Sequence, residues 1–309
     1  MELNELIIAD DKIEKMFNHE IKDFLDKRVI DGYTSRKIHY NLYKTDNAKA
    51  LIVISHGFTE YIQKYNEFIY YLINLGYSVL IAEHRGHGKS LRETDNYSSV
   101  YVKSFDYYVD DFFNLYNEVG KDLKLTPYLF GHSMGGCIAS LFCQKYPEVF
   151  SKIIFNAPMF KIKTPSYALA AIVSGGALLL GKGKKKLITS SDDFGNFESS
   201  CSCCKPRYNA CCEIRGSEKY YENKNASYKW AYNALFASIK ATKEELKGKV
   251  LLLEADIDNS IDKAGFDAFE KHNKNMKRIK FPHSKHEIFL SNKDILIDYI
   301  STIDSFYSS

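Results

Sequence analysis

From residue 51 onward the chain repeats a short, unbroken apolar run followed by a longer segment whose apolar positions recur every three to four residues. The pairs are 51–55 with 65–75, then 78–82 with 105–119, then 128–130 with a helix over 135–146 that stops ahead of Pro147. A further strand is predicted at 152–156, around Ile153-Ile154-Phe155. Runs that are apolar on both faces, separated by amphipathic helices, predict a parallel sheet covered on both sides. Ahead of this repeat, 28–30 and 37–43 alternate around Asp31-Gly32-Tyr33, which predicts two edge strands about a turn.

The repeat breaks off after Asn156 and resumes at 250–254, with a helix over 263–271, a strand at 277–281 and a closing helix over 293–307. Residues 1–156 and 247–309 therefore form one core, and 157–246 are an insertion between strands. That insertion opens with a near-apolar stretch, 167–180, too short for the roughly 20 residues that span a bilayer. It continues through Lys182-Gly183-Lys184-Lys185-Lys186 and a Ser-, Asp- and Cys-rich stretch to a helix over 228–240. Residues 181–212 hold few apolar groups to offset their ordering entropy, so that part is expected to be mobile.

Composition narrows the classes of function. A net charge of +3 over 309 residues, with basic residues spread widely, gives no footprint for nucleic acid. The first twenty residues mix charge and apolar groups without the pattern of a secretory signal, so the expected location is cytoplasmic. Cys137 and Cys143 fall in an apolar helical pattern and are expected as buried free thiols, so no disulfide framework is implied. Cys201, Cys203, Cys204, Cys211 and Cys212 crowd a polar segment, but their C-x-C-C and C-C spacings are not the two separated pairs of a zinc site.

Candidate chemistry centres on Gly131-His132-Ser133-Met134-Gly135, which lies between a predicted strand and a predicted helix. There the pattern makes a sharp turn that presents a serine hydroxyl above the sheet edge, with glycines where strand and helix crowd together. A serine nucleophile needs a base, and His286 follows the last predicted strand, with His283 as its rival. The base needs a carboxylate on its other ring nitrogen, and Asp256, Asp258 and Asp262 all follow the strand at 250–254. Asp262 also suits a cap on the helix after it. Backbone amides of Met134 and Phe58 are the candidate oxyanion donors, the second from the loop His56-Gly57-Phe58-Thr59-Glu60. His56 itself reads better as a structural hydrogen bond in that loop. The glycine-bearing stretch Glu83 to Ser90 lacks the spacing of a phosphate-binding loop.

With those residues in place, the chain resembles the lysophospholipase and monoacylglycerol lipase group of serine aminopeptidase-like α/β-hydrolases. The resemblance rests on Ser55 to Glu60 followed by Tyr65, on Glu83 to Ser90, on Phe130 to Gly136 and on Asn156-Ala157-Pro158. Later it rests on Leu251 to Ala255, Asp258, Asp262 and His286-Glu287-Ile288, and in all it covers 28–160 and 226–305. It implies an α/β-hydrolase fold with a cap insertion, selects Asp258 as the acid of a Ser133–Asp258–His286 triad, and implies ester hydrolysis without a metal or organic cofactor. Departures are Glu83 for the usual aspartate, Asn259 for a common arginine, and a Lys- and Cys-rich segment with no counterpart.

Ser227-Tyr228-Lys229-Trp230 resembles the lysophospholipase branch. The expected function is release of a fatty acid from a single-chain lipid ester, a lysophospholipid first. Monoacylglycerol lipase and short-chain carboxylesterase are the alternatives within the enzyme class, and a non-catalytic binding module on the same fold is the remote one. The expected partner is a lipid ester substrate, with peripheral membrane contact through the cap and no obligate protein partner. Lysines 182 and 184–186 either attract an anionic surface or simply solvate a loop.

Overall fold

A computed structural model describes residues 3–187 and 196–309. Short helices α1 (Leu3–Leu6), α2 (Asp10–Met16) and α3 (Lys22–Asp26) open the chain. Ile13, Phe17, Ile21 and Leu25, each four residues from the next, turn one buried stripe toward the core. Strands β1 (Val29–Tyr33), β2 (His39–Tyr43), β3 (Leu51–Ser55) and β4 (Ser78–Ala82) follow, with α4 (Asn66–Asn74) between the last two. The expected turn at Asp31-Gly32-Tyr33 lies inside β1 instead. The chain reverses at Thr34 to Lys37, where Lys37 takes φ 60° and Thr34 Oγ1 accepts from the Ile38 amide at 3.2 Å.

Next come β5 (Ser99–Val100), α5 (Asp106–Leu115), β6 (Pro127–His132), α6 (Met134–Lys145) and β7 (Lys152–Asn156). The insertion carries α7 (Tyr167–Leu179), α8 (Lys205–Ser217), β8 (Asn225–Ala226) and α9 (Tyr228–Lys240). The core closes with β9 (Lys249–Ile257), α10 (Ala264–His272), β10 (Lys277–Lys285) and α11 (Lys293–Ser308). Eight strands form one sheet in the order β1-β2-β4-β3-β6-β7-β9-β10, and β5 pairs with β8. Only β2 runs against its neighbours, so the sheet is parallel wherever the predicted strand–helix repeat operates. Two apolar layers, one on each face, bury β3, β4, β6 and β7 completely along most of their length.

The insertion departs most from expectation. Of the stretch expected to be mobile, 188–195 lie outside the described residues. On either side of them the chain is held. Leu187 donates to Ala226 O at 2.8 Å, and Tyr228 and Lys229 donate back to Lys185 O and Gly183 O. Backbone pairing of this kind needs no apolar side chain. Further on, α8 packs against α2 through the fully buried Arg207. Its guanidinium donates to both carboxylate oxygens of Glu67 on α4, to Asp10 and to Ile8 O. Buried, fully paired charge supplies the contacts that apolar composition predicted to be missing.

Candidate active site

Three strand ends and one loop meet at the carboxyl edge of the sheet. Strand β6 runs straight into α6, and Ser133 at the junction takes φ 52° and ψ −119°, a strained conformation for a side chain with a Cβ. Two glycines make that junction sterically feasible. A Cβ on Gly135 would come within 2.0 Å of Ser55 O, and one on Gly131 within 2.9 Å of Gly135 O. The junction is fixed by the Ser133 amide donating to Asn156 O at 3.1 Å and by Met159 N donating to Ser133 O at 2.8 Å.

On the neighbouring side of the sheet, Asp258 directly follows β9 and His286 directly follows β10. The His286 Nδ1 and Asp258 Oδ2 atoms are 2.6 Å apart, and both side chains are buried. The other oxygen of Asp258 accepts from the Ser260 and Ile261 amides at 2.8 and 2.9 Å. Burial alone would raise the Asp258 carboxyl, but His286 and those two amides outweigh it and hold it below the usual carboxylate range. Burial likewise opposes charge on His286, and the Asp258 carboxylate overcomes it, leaving the ring above the ordinary imidazole value. Bonding at Nδ1 leaves Nε2 for a second partner. Among the described residues neither Nε2 nor Ser133 Oγ is hydrogen-bonded, an arrangement that substrate binding can tighten.

The competing residues are placed elsewhere. His283 is exposed, its amide bonded to Asp256, and Asp256 pairs with Lys280 at the surface. Asp262 accepts from Ala264 N at 3.0 Å at the start of α10 and pairs with Lys161. The structure thus brings together Ser133, Asp258 and His286 at one edge, and sets the other three candidates apart from them.

The loop after β3 completes the edge. The Gly57 amide is bonded to Glu60 at 2.5 Å, whereas the Phe58 and Met134 amides have no acceptor among the described residues. The Phe58 ring lies against Trp230 of α9, centroids 3.9 Å apart. His56 uses one nitrogen on Gly57 O and the other to accept from His84 N, so it holds the loop as the structural reading proposed.

Sequence reasoning missed the charged group behind this loop. Glu60 is buried and accepts from Gly57 N, from Lys64 Nζ at 2.8 Å and from Tyr65 OH at 2.6 Å. Lys64 also reaches Glu287, the residue after His286, at 2.5 Å. Burial opposes the charge on Lys64, but Glu287 and Glu60 keep its ammonium firmly protonated. Glu60, Tyr65 and Glu287 stood in the motifs that carry the resemblance, but the Glu60–Lys64 spacing of four, common on exposed helices as well, gave no reason to bury the pair.

All seven cysteines are free; Cys137 and Cys143 are buried in α6 as the apolar pattern predicts. Burial pushes the Cys201 thiol up to about 12, which keeps it protonated. Among the described residues, no group of three or more His, Cys, Asp or Glu side chains is placed to hold a metal ion. None of the described helices is long and apolar enough to cross a membrane.

A mostly parallel eight-stranded sheet, helices on both faces, a serine at the strand–helix elbow and an insertion after β7 define the α/β-hydrolase fold. The carboxyl esterase of Bacillus coagulans shares it, with a TM-score of 0.72 and 17% identity over 91% of this chain and 97% of that one. Residues 46–293 match the serine aminopeptidase, S33, family, and the chain belongs to it. Among relatives, lysophospholipase L2 of Escherichia coli strain K12 is 34% identical over 152 residues, 48% of this chain and 45% of that protein. Monoglyceride lipase of Rattus norvegicus is 36% identical over 132 residues, 42% of each chain. The chain thus spans about half the length of these relatives.

Proposed function

We propose that the protein is a serine hydrolase that cleaves carboxylic esters of single-chain lipids, lysophospholipids first. The observation that carries this reading is the strained Ser133 elbow sharing one sheet edge with the buried His286–Asp258 pair. In the proposed mechanism Ser133 Oγ attacks the ester carbonyl as its proton passes to His286 Nε2. Asp258 fixes the tautomer and stabilises the imidazolium. The Phe58 and Met134 amides receive the developing oxyanion, and the alcohol leaves with the proton from His286. Water then takes the place of the alcohol, gives its proton to the same nitrogen and releases the fatty acid from Ser133.

The lysophospholipid preference is supported by the likeness to lysophospholipase L2, and the monoacylglycerol alternative by the likeness to monoglyceride lipase. The cap supports a lipid over a small soluble ester. Leu169, Ile172, Val173, Leu179 and Leu180 of the α7 region are exposed, as are Phe236 and Ile239 of α9, the helix packed against it. Lys161 and Lys163 precede α7, and Lys182, Lys184, Lys185 and Lys186 follow it, the charge that an anionic lipid surface attracts. A cytoplasmic enzyme touching lipid reversibly through α7 belongs to the same reading.

The test is fatty-acid release from lysophosphatidylcholine, monoacylglycerol and a short-chain ester at matched concentrations. Fastest release from lysophosphatidylcholine is expected. Release from the short ester alone would remove the lipid assignment and leave the mechanism standing.

A further inference from the structure

We infer that the segment 201–217 of the insertion is a brace that sets the position of the oxyanion loop relative to His286, with Arg215 and Ser202 as positioning residues. This rests on the proposed function, since it concerns the spacing of the groups that reading assigns.

The segment grips both loops within four residues of the reacting groups, at Glu287 and Thr59 only one residue away. On the histidine side, Glu287 N donates to Cys201 O at 3.0 Å, and Ser202 Oγ, fully buried, donates to Leu290 O at 2.8 Å. On the oxyanion side, Arg215 donates to Thr59 O at 3.0 Å, and Tyr61 OH donates to Cys211 O at 2.6 Å. Thr59 follows Phe58 and takes φ 62°, a conformation that a β-branched residue adopts only when something outside it holds it there. The carbonyl bonded by Arg215 belongs to that same residue.

A helix bridging two loops fixes their spacing only if it is fixed itself. Arg207 anchors α8 to Glu67, Asp10 and Ile8, all outside the two loops. Inside the molecule Lys64 joins the same loops a second time, from Glu60 behind Gly57 to Glu287 behind His286. The loops are therefore held from two sides, from within by a buried ammonium and from outside by α8 together with Cys201 and Ser202 ahead of it. Catalysis is sensitive to such spacing, because a misplacement of about 1 Å can cost on the order of a hundredfold in rate.

The test uses the intact protein, with Arg215→Met, Arg215→Lys, Ser202→Ala and, as control, Ser133→Ala, assayed on monoacylglycerol. Arg215 is only partly buried, so its methionine variant is expected to fold, and Ser202→Ala removes a single oxygen. We expect Arg215→Met to lower kcat about tenfold with KM within about twofold of wild type, a fraction of the misplacement penalty. Arg215→Lys, which keeps a donor for Thr59 O, should recover at least half of that loss. Ser202→Ala should lower kcat about threefold by the same route. Wild-type kcat in both Arg215→Met and Ser202→Ala would overturn the brace, as would a loss carried by KM alone, which would make Arg215 a substrate contact. Turnover surviving in Ser133→Ala would instead defeat the function on which the brace rests.

Discussion

The two halves of the insertion invert what their compositions predict. Helix α7 is the longest near-apolar stretch of the chain, yet of its residues only Ser174 is buried, and Leu169, Ile172, Val173 and Leu179 face outward. Helix α8 is polar and cysteine-rich, yet it buries Arg207, Ala210 and Cys211 and is tied to the N-terminal helices, to α4 and to the oxyanion loop, while Cys201 and Ser202 just ahead of it hold the histidine loop. Hydrophobicity measures what a segment gains by leaving water. It does not say whether the fold offers a place to go. Apolar α7 is left as a surface, and polar α8 is locked by partners far away in sequence.

The comparison breaks most sharply at Arg207. Removing the guanidinium leaves Glu67 buried with its main partner gone, so Arg207→Ala should destabilise the fold by about 3–5 kcal/mol in urea denaturation. A change below about 1 kcal/mol, the scale of an exposed pair, would show that α8 is not locked as described.

A smaller effect is expected where the α8 side meets the histidine loop. His286 is held above the ordinary imidazole value of about 6.5, first against burial and chiefly by Asp258. The stabilisation from its charged pair is therefore complete below the unfolded value and is lost as pH rises through the raised folded value. The base must be neutral to act, so turnover should rise over that same window, with a midpoint above about 6.5 in the pH profile of kcat/KM. A midpoint below it would mean that Asp258 does not hold the ring in solution.

The smallest change in stability should come from α7. Ile172 is 70% exposed, so Ile172→Glu should shift unfolding by no more than about 0.5 kcal/mol. Turnover of lipid in anionic vesicles should nevertheless fall several-fold, while turnover of a dispersed short ester stays level. Equal losses on both substrates would remove α7 as a lipid-facing surface.

The sequence was most legible where local pattern and tertiary role coincide. The apolar stretches of four residues in β3 and β4 and of three in β7 read as buried strands, and the glycines around Ser133 announced the elbow because a Cβ there has nowhere to go. Asp256, Asp258 and Asp262 looked alike by residue pattern, and the family resemblance alone favoured Asp258; the chain's path sets Asp258 beside His286, Asp256 at the surface and Asp262 just ahead of α10. Helices α2 and α3 were overlooked although Ile13, Phe17, Ile21 and Leu25 carry their signal at a spacing of four. Arg207 and Lys64 gave no sign of burial, and Glu60 was read only as part of a motif. A charge is buried only when its partner is brought to it, and Arg207 lies 140 residues from Glu67.

The most direct test of the account is covalent labelling of the wild type by a fluorophosphonate, with the modified residue located by mass spectrometry. A single phosphonyl adduct on Ser133, lost in Ser133→Ala and greatly slowed in His286→Ala, is the predicted result. Folded wild-type protein that stays unlabelled, or an adduct on another residue, would contradict it.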